Sequence, residues 1–244
     1  MARGARKKSE TGLYHICQRG NDRQIIFEDD SDRERYLSIL DEAFQGNGVR
    51  LLAWCLMPNH VHLLIDDPND CIDIAMHRIG SLYAMYFAKR WSRVGHVFEG
   101  RYRSKPINSE SHLLEAFRYI HNNPPNAGIS PAETYKWSSY SEYLRSPVHC
   151  DTNMMLEMLG GAEGFKRFIA ERATTGYYYE GGMKLSDAQA LVVARFVLGN
   201  RDPSTLKLMK PAERRPLIGL LKEAGITIRQ IELLTGLSRS CLYS

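Results

Sequence analysis

The run Met57-Pro58-Asn59-His60-Val61-His62-Leu63-Leu64-Ile65 constrains this chain more than any other stretch. As a strand, its alternation sends His60 and His62 to one face and Val61, Leu63 and Ile65 to the other. One face is then oily and packed, while the other presents two nitrogen ligands side by side. Val49 to Met57 also reads as a strand, and Pro58-Asn59 is a bend between the two, so the pair forms a hairpin.

A second motif, Arg118-Tyr119-Ile120-His121-Asn122-Asn123-Pro124, follows downstream. Its surroundings read as a helix from about Ser111 to Asn123, with an N-cap in the Ser109/Ser111 region and a stop at Pro124-Pro125. Leu113, Leu114, Ala116, Phe117 and Ile120 share one side. Tyr119 lies opposite with Glu115 and Asn122, and Asn123 sits beside it at the boundary. Tyr119 therefore points where the polar residues point, and a spacing of four stacks it with Asn123. His121, on the apolar flank, reads as a packed, hydrogen-bonded histidine. A two-histidine strand and a helix offering a phenol and an amide oxygen make a kit for metal-assisted attack on a phosphodiester. Tyr86 and Tyr102 are rival nucleophiles, but neither has an amide four residues on. His15, His77, His96, His112 and His149 lack partners at ligand spacing and receive no role.

The net charge of +4 says little, but its distribution says more. Between His77 and Lys105 the cations Arg78, Lys89, Arg90, Arg93, Arg101, Arg103 and Lys105 face one acid, Glu99. Tyr83, Tyr86, Trp91 and Tyr102 lie among them, as a phosphate-tracking surface with stacking platforms requires. A solvated charged face is the competing reading. Strand alternation aims Arg101, Arg103 and Lys105 one way, just before the Tyr119 helix, which puts them nearest the scissile phosphate. The five cysteines are scattered and without a CxxC pair, so they read as neither a disulfide framework nor a zinc site. With no membrane-spanning run and no signal-peptide core, the expected location is cytoplasmic.

The expected fold class is α+β: an antiparallel sheet of four or five strands with helices on one face, then a small all-helical region. Residues 1–10 form a basic tail, and 11–146 form the catalytic domain, with strands at Tyr14 to Cys17 and Val97 to Ile107 and helices at Asp30 to Phe44 and Ile72 to Trp91. Residues 147–182 read as a helical extension with a linker at Thr174 to Gly182. Residues 183–244 are helical. There, Gly225 to Ser240 fits a helix-turn-helix, with an ordinary αα-hairpin as the alternative. The chain ends at Ser244, inside the recognition helix, which leaves the completeness of that unit open.

MPNHVHLLI, GHVFEGRYRS, RYIHNNP and WSSY (Trp137 to Tyr140), in this order, resemble the single-tyrosine HUH transposases, particularly the REP-associated tyrosine transposases. The resemblance spans Tyr14 to Tyr143. It implies a metal-dependent single-stranded DNA transesterase that cleaves and rejoins DNA near hairpin repeats through a 5′-phosphotyrosine. Matched by motif position, Tyr119 is the nucleophile, and His60, His62 and Asn123 bind Mg²⁺ or Mn²⁺. Related insertion-sequence enzymes often carry glutamine at the third position, where Asn123 is shorter; Pro125 and Asn126 also depart from the family pattern. The implied partner is single-stranded DNA with hairpin elements, and a homodimer stays open. Two rivals remain. A non-catalytic hairpin-DNA-binding regulator would let the helix-turn-helix dominate, and a histidine-triad nucleotide hydrolase would want histidine where Leu64 stands.

Overall fold

The computed structural model describes residues 7–171, 187–199, 201–223 and 226–243. Arg3 and Arg6 of the basic tail and the Thr174 to Gly182 linker lie outside them. The chain divides into two units, Met1–Pro124 with Ser130–Ala173, and Pro125–Ile129 with Thr174–Ser244.

From Leu13 to Asn126 the order is β1 (Leu13–Arg19), α1 (Asp30–Gln45), β2 (Arg50–Met57), β3 (His60–Asp66), α2 (Ile72–Arg90), β4 (Arg103–Pro106), α3 (Glu110–His121) and a single turn, α4 (Asn123–Asn126). Two helices follow, α5 (Asn153–Leu159) and α6 (Gly161–Ala170). The strands form one antiparallel sheet in the order β2-β3-β1-β4. The β2–β3 hairpin turns on Pro58-Asn59, and the Pro58 carbonyl accepts from Ile26 N and Phe27 N.

Helices α1, α2 and α3 begin where a side chain satisfies orphan N–H groups. The Asp29 carboxylate accepts from Asp32 N for α1, and the Ser109 hydroxyl accepts from His112 N for α3. For α2 the cap comes from upstream: the two Asp67 oxygens accept from Cys71 N and Ile72 N. The strand expected over 97–107 shrinks to Arg103–Pro106. Gly100, at φ +116, takes a conformation that a continuous strand of L-residues cannot hold.

Alternation divides the sheet into two faces, with one irregularity in β2 between Leu51 and Ala53. Ile16, Leu56, Val61, Leu63 and Ile65 join one core with Tyr36, Leu40, Ile79, Tyr83 and Phe87 of α1 and α2. On the opposite face, Tyr119 of α3 packs its ring on His15 and His62. Helices on one face are therefore only half of the arrangement. The second face also carries apolar Cys17, Cys55 and Leu64, all buried, and needs its own cover. Behind α3 stands an aromatic cluster of Phe117, His121, Tyr140, Tyr143 and Phe165. The Trp137–Tyr140 segment runs along the outer edge of β2, where Leu56 N donates to the Trp137 carbonyl and Cys55 bridges Ser138. That contact shields an edge that would otherwise be open to pairing.

The second unit contains α7 (Asp187–Val197), α8 (Pro211–Glu223), α9 (Ile228–Thr235) and α10 (Arg239–Tyr243). It has its own core, including Ala190, Ala194, Leu206, Leu221, Ile231, Leu237 and Leu242. Thr227 and Gln230 close a capping box on α9. Gly236, at φ +67, ends α9, and buried Leu237 follows before α10 begins. No described helix is long and apolar enough to cross a membrane.

Candidate active site

Three histidines meet on the sheet face under α3. His60 and His62 stand on β3 with ring centroids 5.0 Å apart. His15 reaches them from β1, its Nε2 lying 2.9 Å from His62 Nδ1. Tyr119 closes the group from above, its ring perpendicular to His62 at 5.4 Å and tilted on His15 at 5.7 Å. Asn123 lies just past the end of α3, at the first position of α4. Its Nδ2 donates to the Tyr119 carbonyl at 2.9 Å, and its side chain is the one neighbour that favours the charged form of His60. The phenol, both motif histidines and the amide are thus brought together.

The site is buried and its histidines are neutral. Burial pushes His60 down to about 3, with the Arg19 charge adding to the effect. His15 is likewise pushed down to about 3, by burial first and then by Lys105 and His112. Burial also holds His62 well below the ordinary imidazole value, with His60, His15 and Arg19 contributing. A neutral imidazole keeps a lone pair, which a cation needs and a proton would take. Nε2 of His60 is buried and makes no hydrogen bond. An unpaired buried nitrogen costs about 1–3 kcal/mol, so it marks a place where the fold has a reason to tolerate the cost. Two imidazole nitrogens and an amide oxygen are a neutral donor set suited to a divalent cation, with positions left over for phosphate oxygens. These residues fit a bound Mg²⁺ or Mn²⁺. Among the described residues, no cluster of three His, Cys, Asp or Glu side chains suits a metal.

The rival phenols are engaged elsewhere. Tyr102 OH donates to Asp73 of α2, and Tyr86 OH donates to Asp32 of α1 at 3.0 Å. Two of the expected stacking platforms are also corrected: Tyr83 is fully buried with its OH on the Ile26 carbonyl, and Tyr102 is buried. Trp91 remains partly exposed, with its indole N–H on Asp32.

The cations grouped by sequence fall on two surfaces. In the ladder Arg103 pairs with Cys17 and Lys105 with His15, so both rise from the histidine face. Arg101 is exposed just before β4. Arg78, Lys89 and Arg90 belong to α2, in the opposite layer, and Arg93 follows it. Arg90 grips Asp29 and the buried Asp32 at 2.6 Å each, Arg78 lies 3.9 Å from Glu42, and Arg93 lies 3.6 Å from Glu28. Closeness in sequence had merged the two sides of the sheet.

Sequence reasoning passed over three residues. His15, set aside for want of a partner, finds one in His62, 47 positions away. Arg19 pairs with His60 across β1 and β3. Asn59, read only as a bend, places its Oδ1 2.7 Å from His60 Nδ1. The available signal was Tyr14-His15-Ile16-Cys17, which alternates as β3 does and so predicts a third histidine on the same face.

Residues 8–123 match the family model described as "Transposase IS200 like". Among solved structures, the chain is similar to a REP-associated tyrosine transposase bound to a REP hairpin. The TM-score is 0.51 at 14% identity, covering 59% of this chain and 86% of that one. At that identity the likeness speaks to the fold alone. A candidate transposase from Deinococcus radiodurans R1 is 21% identical over 50% of this chain and 97% of its own, but with a TM-score of 0.35 it carries no argument. Comparison with curated proteins finds no match.

Proposed function

On the premise that residues 8–123 match the IS200-like transposase model, we propose that this chain is a single-stranded DNA transesterase acting near hairpin repeats, with Tyr119 as its nucleophile. The observation that carries the reading is the packing of the Tyr119 ring edge-to-face against His62 and tilted against His15, with Asn123 tethered to the Tyr119 carbonyl. Tyr102 and Tyr86, tied to carboxylates of α2 and α1, have no comparable setting.

In this proposal the Tyr119 oxygen attacks phosphorus, a phosphotyrosine bond forms, and the bond to the 3′ oxygen breaks. The proton lost by the phenol is matched by the one the 3′ oxygen takes up. A later 3′-OH attacking the phosphotyrosine reverses the step and joins strands without an outside energy source. His60, His62 and Asn123 would hold Mg²⁺ or Mn²⁺. When bound, such an ion polarises the phosphodiester and offsets charge in the transition state. Arg101, Arg103 and Lys105 are assigned to the DNA phosphates beside the site, where contacts position the strand without reading its sequence. Arg78, Lys89, Arg90 and Arg93, on or just after α2 in the opposite layer, are given no contact with the hairpin. The α9–Gly236–α10 arrangement supports a separate duplex contact through a helix-turn-helix.

The decisive experiment incubates the protein with labelled single-stranded hairpin DNA and a divalent cation, followed by denaturing electrophoresis. Wild type is expected to give a covalent band. Tyr119→Phe, which keeps the ring and deletes the attacking oxygen, should lose it at every metal concentration while still binding the hairpin. A band persisting in Tyr119→Phe moves the nucleophile elsewhere. Metal-dependent attachment also separates this reading from a hairpin-binding regulator and from a nucleotide hydrolase.

A further inference from the structure

A histidine ligates through a nitrogen that carries no proton, so something must decide which ring nitrogen that is. For His60 the answer lies in the β2–β3 turn. The Asn59 carboxamide is itself oriented, because Nδ2 donates to the Arg23 carbonyl at 3.1 Å. Its Oδ1 is thereby turned to His60 Nδ1 at 2.7 Å. A carboxamide oxygen can only accept, so Nδ1 of His60 must donate. The proton is then on Nδ1, and the lone pair is on the buried Nε2 that makes no hydrogen bond. The main chain fixes the turn as well: Gly20 N donates to the Asn59 carbonyl, and Ile26 N donates to that of Pro58, both at 2.9 Å.

His62 has the same relation to His15. His15 Nε2 lies 2.9 Å from His62 Nδ1, and its ring is packed against both His62 and Tyr119. If His15 accepts, His62 carries its proton on Nδ1 and keeps Nε2 for a ligand.

Resting on the metal reading above, we propose that Asn59 and His15 are positioning residues: they hold His60 and His62 in the Nδ1–H tautomer and so present both Nε2 lone pairs to one divalent cation. Neither residue touches the cation or the DNA in this assignment. Each acts through the imidazole it orients.

The test reads metal and tautomer without DNA cleavage. In the metal-free, ¹⁵N-histidine-labelled full chain, NMR should find His60 protonated on Nδ1 and bare on Nε2. Mn²⁺ affinity, followed by the electron paramagnetic resonance of free Mn²⁺, should fall about 10–100-fold in Asn59→Leu. Asn59→Asp, which retains an acceptor oxygen, should bind as tightly as wild type or more so. Both variants lose the donor to Arg23, so the difference between them reports the acceptor and not damage to the turn. His15→Phe, which keeps a ring in place, should weaken Mn²⁺ like Asn59→Leu. A proton on Nε2 of His60, or wild-type Mn²⁺ affinity in Asn59→Leu, overturns the inference alone. Failure of the wild-type chain itself to bind Mn²⁺ overturns the metal reading and the inference with it.

Discussion

Val61, Leu63 and Ile65 point from β3 into a layer that holds Tyr36, Leu40, Ile79 and Phe87, whereas His60 and His62, one residue away along the same strand, point toward α3. Both sets are buried to the same degree. The first gains about 1.5–3 kcal/mol per side chain from leaving water. The second carries polar nitrogens into the interior, and burial drives their pKa values down. Depth alone therefore distinguishes nothing here; what differs is whether burial is consistent with the side chain's chemistry. Where a fold buries polar groups at a cost, function is the usual reason.

That contrast is broken most severely by exchanging the two kinds of damage. His60→Ala or His62→Ala should reduce covalent attachment to hairpin DNA by more than about 100-fold, beyond the range seen when only an outer partner of a ligand is lost. Partial recovery at high Mn²⁺ is expected, because the nucleophile survives. Leu63→Ala should do the reverse. It should cost about 2–5 kcal/mol of stability, read from urea midpoints, while folded molecules at low temperature keep their cleavage rate. Equal losses of activity per folded molecule from both faces would erase the distinction.

Acid sharpens the comparison. His15 at about 3 and His121 at about 4 have folded values below the unfolded value of 6.5. The unfolded chain therefore binds more protons as pH falls. The stabilisation these groups contribute is present above pH 6.5 and declines as pH drops toward their folded values. Urea midpoints should fall progressively between pH 6.5 and about 4.5, before carboxylates dominate. The slope should be shallower in His15→Phe, and an identical slope would mean that the histidine face does not set it.

The smallest effects concern the cations. Arg103→Ala and Lys105→Ala should each lower the salt slope of hairpin binding by about one contact. Arg78→Ala, on the α2 layer beside Glu42, should leave it unchanged. Similar changes in all three would return the basic residues to a single surface.

Much of this was legible in the chain. Alternation in His60 to Ile65 implied both faces of β3, and the helical spacing of Tyr119 implied that it avoids its own helix's apolar side. The Pro58-Asn59 break implied the hairpin. What escaped depended on contacts between distant positions. The apolar flank of α3 implied a packed His121, and a bond to the Phe117 carbonyl one turn back is local, but its other partner, Ser139 Oγ at 2.9 Å, comes from a separate segment. The cations from Arg78 to Lys105 looked like one patch because sequence distance carries no information about which side of a sheet a residue occupies.

By itself, the sequence determined local periodicity: which residues of β3 and α3 share a face, where caps and prolines end helices, and which side chains bring metal-binding or nucleophilic chemistry. Those properties depend on neighbours within a turn or a pleat, so a linear reading reaches them. Only the tertiary structure decided that α3 lies over the histidine face, that Tyr102 belongs to Asp73, and that His15 and Asn59 attend the two motif histidines. Cross-strand register brings His15 to His62, while the shape of the β2–β3 turn and the packing of helices on the sheet set the others. They arise from packing the whole sheet at once, and no segment encodes them alone.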